Sequence, residues 1–163
     1  MPKAPTLLTH WLPPLLWMTL IFVGSTDVLS AGHTSRFVGP FLHWLLGAGY
    51  TAEKAEFGHF LVRKAGHFSE YAVLSVLLWR ALGSLPPLLD TRQPKLRYGL
   101  AAGLAGLYAA SDEFHQSFVP SRTASPVDVI IDASGALLGL LMFLGLLRLL
   151  RHNQPPFTKP NSS

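Results

Sequence analysis

At 163 residues the chain is one domain by length; 13% of it is charged and 49% hydrophobic, with a mean hydropathy of +0.32. Soluble globular domains carry about 25% charged residues, so the composition points to an integral membrane protein instead. The formal charge of +4 and the pI near 9.7 do not indicate a nucleic-acid binder, because the basic residues lie in loops without interleaved aromatics for base stacking, and the absence of cysteine excludes disulfides and thiolate chemistry.

A segment crossing the roughly 30 Å hydrocarbon core needs about 20 mostly apolar residues. The first candidate runs from Trp11 to about Leu29, with Pro13-Pro14 at its start, where missing amide donors are tolerated. Small residues near its end (Val28, Ser30, Ala31) resemble a signal-peptide cleavage site, but Lys3 is the only basic residue ahead of it and further spans follow, so a retained helix is expected. The stretch Arg36 to Gly49 is too short to span and is expected to lie at the interface as an amphipathic helix or to re-enter the bilayer. Tyr50 to Gly58, with Glu53, Lys54 and Glu56, leads into a second span over about His59 to Leu82.

A loop signature follows in Leu85 to Arg97, with Pro86, Pro87 and Pro94. The third span covers about Leu96 to Phe118, and its many Gly and Ala residues, which permit close helix approach, predict a place at the centre of the bundle. After a turn at Val119 to Pro126, the fourth span runs from about Val127 to Leu150, with Gly135 and Gly139 one turn apart as a small-xxx-small pair. The expected fold is therefore all-α: an integral membrane four-helix bundle with a short interfacial or re-entrant helix after the first span. One transmembrane domain is expected over residues 1–151, with a disordered tail over 152–163. With the N-terminus inside, eight of the 13 basic residues fall on the cytoplasmic side, which favours both termini in the cytoplasm. Trp11, Trp17, Trp44 and Trp79 are expected to be mostly interfacial anchors or lipid-facing bulk.

Three polar clusters interrupt these apolar runs. Lys64, His67, Phe68 and Tyr71 share one helical stripe, placed at the mouth of the second span, with Glu70 in reach of His67. Asp112, His115 and Gln116 repeat that spacing at the end of the third span, with Glu113 on a neighbouring face. Asp128 and Asp132 open the fourth and share a stripe with Gly135 and Gly139. If successive spans alternate in direction, the three clusters meet on one side. Ionisable groups in spans cost roughly 2.5–3.5 kcal/mol each on insertion scales, which favours a binding or catalytic site over internal pairing that only fixes helix docking. Ser25 and Asp27 could join the same pocket, although a helix cap is the expected role.

A metal site was weighed on His67, Glu70, Asp112, His115 and Asp128. The i, i+3 pairs echo those of helical bundles, but neither a full Glu-x-x-His pair nor an HExxH is present, and Lys64 and Arg122 favour an anion, so no metal and no cofactor is expected.

The ordered pattern Lys64-x-x-His67-Phe68-x-Glu70-Tyr71, then Asp112-Glu113-x-His115-Gln116-x-Phe118-Val119-Pro120-x-Arg122-x-x-Ser125-x-x-Asp128, with Asp132 and Gly135 beyond, resembles the VanZ-like family of small bacterial membrane proteins. The resemblance covers about Phe22 to Leu147, and Ser121 stands where the family's turn has Gly. It implies a role at the bacterial cell envelope, since the family takes its name from a protein associated with resistance to the glycopeptide teicoplanin. Its motif carries over to Lys64, His67, Glu70, Tyr71, Asp112, Glu113, His115, Gln116, Arg122, Ser125, Asp128 and Asp132.

Three functional expectations follow. In the first, an outward-facing pocket binds an anionic lipid headgroup or a lipid-linked envelope precursor. Lys64 and Arg122 hold its phosphate or carboxylate, and Tyr71, Glu113, Gln116, Ser125, Asp128 and Asp132 complete the ligand-binding set. In the second, a hydrolase or transferase acts on the same lipid phosphate, with His67 or His115 as general base or nucleophile and Glu70 or Asp112 as the orienting carboxylate. A scaffold whose polar cluster only locks the bundle is the third possibility, and the oligomeric state is left open.

Overall fold

The computed structural model describes residues 4–26, 31–85, 94–120, 122 and 124–152, with side chains described outside 4–7, 31–37 and 48. Asp27, Ser121 and residues 153–163 of the expected disordered tail fall outside the described residues, and its first residue, His152, is the last of α5. Among the described residues the chain forms five α-helices, α1 (Ala4–Ser25), α2 (Ala31–Leu46), α3 (Ala52–Leu82), α4 (Pro94–Gln116) and α5 (Pro126–His152), and no strand.

Local chemistry explains most of the boundaries. The side chain of Thr51 accepts from the Lys54 amide at 3.3 Å and caps α3, so the polar stretch that leads into the second span forms the first turns of the same helix. Pro94 and Pro126 sit at the first helical position of α4 and α5, where a missing amide costs nothing. The Ser125 hydroxyl accepts from the Val127 amide at 3.2 Å, a second N-cap. Beyond α2 the chain bends through Gly47, whose φ of +49° is the left-handed conformation that glycine adopts at low cost. Pro13 and Pro14 do not start α1, which begins at Ala4 and carries both prolines in its interior. The apolar residues ahead of them propagate the helix upstream, and Pro14 is among the fully buried residues.

Contacts fix the direction of each helix. Along α3 and α5 they run in step, Lys64 with Asp128, His67 with Asp132, Phe68 with Gly135 and Ala72 with Gly139, so these two helices are parallel. Arg97 at the start of α4 reaches Trp79 near the end of α3, so α4 runs back. Tyr108 meets Met18 and Asp112 meets Ser25, so α1 runs with α4. The resulting alternation brings the end of α1, the end of α4, the middle of α3 and the start of α5 to one level.

At the centre of the fold stands α3, not α4: it packs against each of the other four helices. Its partner α5 supplies the closest approach. A Cβ on Gly135 would run into the Phe68 main chain, and one on Gly139 would lie 2.7 Å from Ala72 Cα. Those two glycines behave as their spacing suggests. In α4 the alanines 101, 105 and 109 are wholly buried, whereas Gly99 and Gly103 face open space, so its small residues do not make it central. The core is completed by Ile21, Tyr71, Leu74, Leu78, Leu82, Ala136 and Leu140.

Beside this apolar core the interior also holds Ser25, Ser75, Asp112, Glu113, Gln116, Asp128 and Asp132, while Leu107, Phe114, Ile130, Met142 and many other large apolar residues point outward. Leu8–Ser25 and Pro126–His152 are long and apolar enough to cross a membrane. The four spans expected from sequence are not all of this kind: α3 and α4 have the length, at 31 and 23 residues, but carry the charges of the polar clusters. Outside the bundle proper, α2 rests Leu42 on Gly58 of α3 and leaves Trp44 77% exposed. The other tryptophans are not free anchors, because Trp11, Trp17 and Trp79 pack against the core.

Candidate functional site

The three polar clusters meet, and they do so roughly three turns inside α3 rather than at its mouth, because α3 begins at Ala52. Two seams make up the meeting point. Between α3 and α5, the Lys64 ammonium pairs with the Asp128 carboxylate, and both side chains are largely buried. One turn further in, His67 Nδ1 lies 3.4 Å from Asp132, whose side chain is wholly buried. Asp128 and Asp132 occupy the first turns of α5, where amides and the helix dipole favour negative charge.

Between α1 and α4 the contacts are to neutral donors. Asp112 Oδ2 accepts from the Ser25 hydroxyl at 2.7 Å and from the Gln116 side-chain amide at 3.0 Å. The Gln116 amide also lies 3.3 Å from the Ser25 hydroxyl, closing a small ring. Around it, the Arg122 guanidinium donates to the Gly24 carbonyl and, at 3.2 Å, to that of Thr26, which ties the α4–α5 turn to the end of α1. The His115 ring packs on Phe22 with centroids 4.4 Å apart. Further along α1, the Trp17 indole donates to the Glu70 carbonyl at 2.9 Å and the Tyr108 hydroxyl to that of Met18 at 2.6 Å.

Glu113 joins the seams. Its Oε2 accepts from the Ser125 amide at 3.0 Å, while one of its carboxylate oxygens lies within 4.8 Å of ligand atoms of both His67 and Asp132. Glu70 is half-buried and within electrostatic reach of His67, Asp132, Asp112 and Arg122. The Tyr71 hydroxyl sits in the field of Asp112, Asp132 and Glu70 without a hydrogen-bond partner. Asp112 Oδ1, Glu113 Oε1, Asp132 Oδ1 and His115 Nδ1 are likewise buried and without a hydrogen bond, with His67 Nδ1 3.4 Å from Asp132 Oδ1. The site is short of donors: five carboxylates face Lys64, Arg122 and His67.

Each sequence-derived candidate thus has a place. His67, Tyr71, Glu113 and Asp132 converge across α3, α4 and α5, Lys64 and Asp128 pair beside them, and Asp112 and Gln116 join Ser25 on α1. His115 stands apart against Phe22, and the Ser125 hydroxyl serves as a helix cap. Lys64 and Arg122, cast as anion holders, are both engaged internally. Sequence reasoning missed Trp17 and Tyr108, whose bonds go to main-chain carbonyls and leave no residue pattern. It also omitted Glu113 and Asp132 from the possible metal ligands. The signal for Asp132 was its stripe shared with Gly135, which faces it onto α3.

A model of the VanZ/LLP1 family matches residues 10–150. No curated protein and no solved structure matches the chain.

Proposed function

The chain belongs to the VanZ/LLP1 family, and from that premise we propose that it is a multi-pass protein of the bacterial cytoplasmic membrane, with both termini cytoplasmic, whose polar cluster binds the headgroup of an envelope lipid or lipid-linked precursor. The outward apolar surface supports the membrane reading: in α3 and α4 as in α1 and α5, the outward side chains include large apolar ones, among them Leu61, Val73, Leu104 and Leu107, while Asp112 and Glu113 turn inward. Family membership is consistent with an envelope protein linked to teicoplanin resistance.

The observation that carries the binding reading is the set of buried, unpartnered acceptors in one place: Asp112 Oδ1, Glu113 Oε1 and Asp132 Oδ1. A buried acceptor left unmade costs about 1–3 kcal/mol, so the cluster favours a ligand that brings donors, such as headgroup hydroxyls or an amine. An anionic headgroup needs a compensating cation as well, because Lys64 is already paired with Asp128. Native mass spectrometry of gently extracted protein tests the proposal, with wild type beside His67→Ala and Arg122→Ala. Lipid retained by wild type and depleted in both variants is the expected result; equal retention by all three overturns it.

A second reading, an enzyme acting on the same lipid phosphate, is favoured by the His67–Asp132 contact, the arrangement of a general base with its orienting carboxylate. It predicts that Asp132→Asn keeps lipid while turnover of a lipid phosphate falls.

A further inference from the structure

We infer that His67, Glu113 and Asp132 form a divalent metal site, with one imidazole nitrogen and two carboxylate oxygens as protein ligands and at least one position open. The three residues come from α3, α4 and α5, and their ligand atoms all lie within 4.8 Å of one another. Tetrahedral bonds of about 2.0–2.1 Å place neighbouring ligand atoms roughly 3.3 Å apart. The His67 Nδ1 to Asp132 Oδ1 distance of 3.4 Å already matches that edge.

The independent sign of a ligand is the state of the oxygens. Asp132 is 0% exposed and Glu113 4%, and Asp132 Oδ1 and Glu113 Oε1 have no hydrogen-bond partner. A carboxylate oxygen hidden from water and left without a donor is costly, and a cation between the two satisfies both. Charge agrees: two carboxylates and a neutral imidazole carry −2, which a divalent ion cancels. Nδ1 coordination requires the His67 proton on Nε2.

Ligand chemistry narrows the ion. An imidazole with two carboxylates suits zinc, manganese or iron, whereas calcium and magnesium prefer oxygen-only shells. Three protein ligands with an open position is also the pattern of zinc sites that take up water or substrate. Sequence spacing alone concealed this arrangement, since no two of its ligands lie on the same helix. The inference shares residues with the proposed lipid site but does not depend on it. If both hold, the ion supplies the cation that an anionic headgroup requires.

Full-length protein in detergent, stripped with chelator and titrated with Zn²⁺ or Mn²⁺ in the absence of added lipid, tests the site by calorimetry and by metal content after desalting. About one ion per chain is expected, with affinity reduced tenfold or more in His67→Ala and in Glu113→Gln, since losing a ligand costs at least what disturbing an outer-shell partner does. His152→Ala, at an exposed position near the end of α5, is the control for adventitious histidine binding and keeps wild-type affinity. A metal-dependent rise in thermal midpoint, present in wild type and absent in His67→Ala, guards against a misfolded variant. No bound metal in wild type, or wild-type affinity in both ligand variants, overturns the inference. Lipid retention measured with and without chelator separates the two claims: retention lost with chelator ties the lipid to the ion, whereas metal binding without an effect on lipid leaves the metal site standing and removes only the ion's part in holding a headgroup.

Discussion

The α3–α5 and α1–α4 seams bury carboxylates at the same level of the molecule but partner them differently. On α5, Asp128 meets a lysine and Asp132 a histidine, across an interface so close that Gly135 and Gly139 have no room for a Cβ. On α4, Asp112 meets only neutral donors, the Ser25 hydroxyl and the Gln116 amide. Where backbones touch, charges can be set against charges without water. Where a helix docks through side chains, hydroxyl and amide donors suffice. Full charge therefore concentrates in the closer seam, and so do two of the three candidate metal ligands, His67 and Asp132.

The sharpest way to break this contrast is to remove one charge from the closer seam. Lys64→Met leaves Asp128 buried and unpaired and should destabilise the protein by about 3–5 kcal/mol, read from unfolding in a detergent titration. Lys64→Met combined with Asp128→Leu should recover most of that loss; no recovery would show that the pair is not coupled. A step down in size, Gly135→Ala drives a methyl into the Phe68 main chain and should cost about 1–3 kcal/mol. Gly103→Ala, which meets nothing within 4 Å, should be neutral or stabilise by up to about 1 kcal/mol through helix propensity. Equal effects at the two glycines would remove the steric basis of the α3–α5 seam. The smallest change is expected from Ser25→Ala, about 1 kcal/mol, because Gln116 still donates to Asp112. A loss matching that of Lys64→Met would mean that the two seams do not differ.

Much of this was legible in the sequence, and the rest was hidden for physical reasons. Apolar period and small-residue spacing located α1, α3, α4 and α5 and the Gly135 and Gly139 contact, because helix packing in an apolar surround depends on what lies on one stripe. The start of α3 was hidden because Glu53, Lys54 and Glu56 look like a linker, although charged residues are good helix formers once Thr51 caps them. The prolines of α1 look like a helix start, and only the apolar residues upstream say otherwise. Within the candidate site, the meeting of the clusters follows from alternating direction, but the partners do not. Any of several carboxylates could have taken Lys64, and neighbouring Asp112 and Glu113 diverge to α1 and to α5 only because successive helical residues point about 100° apart. Arg122 was unreadable in another way: its partners include main-chain carbonyls, which every residue carries.

The way α1 is attached has a consequence for how such chains can change over time. Besides the packing of Ile21 into the core, it is held through side-chain bonds at separate points: Trp17 to the Glu70 carbonyl, the Met18 carbonyl to Tyr108, and Ser25 to Asp112. None of these is bulk packing that a similar side chain replaces with small loss. A drift from Ser25 to an apolar residue strands part of Asp112, and a drift from Asp112 leaves Ser25 and Gln116 without their shared acceptor. A change at position 112 is therefore coupled to positions 25 and 116, whereas the outward leucines of the same helix, such as Leu16 and Leu20, are exchangeable for any residue of similar oiliness.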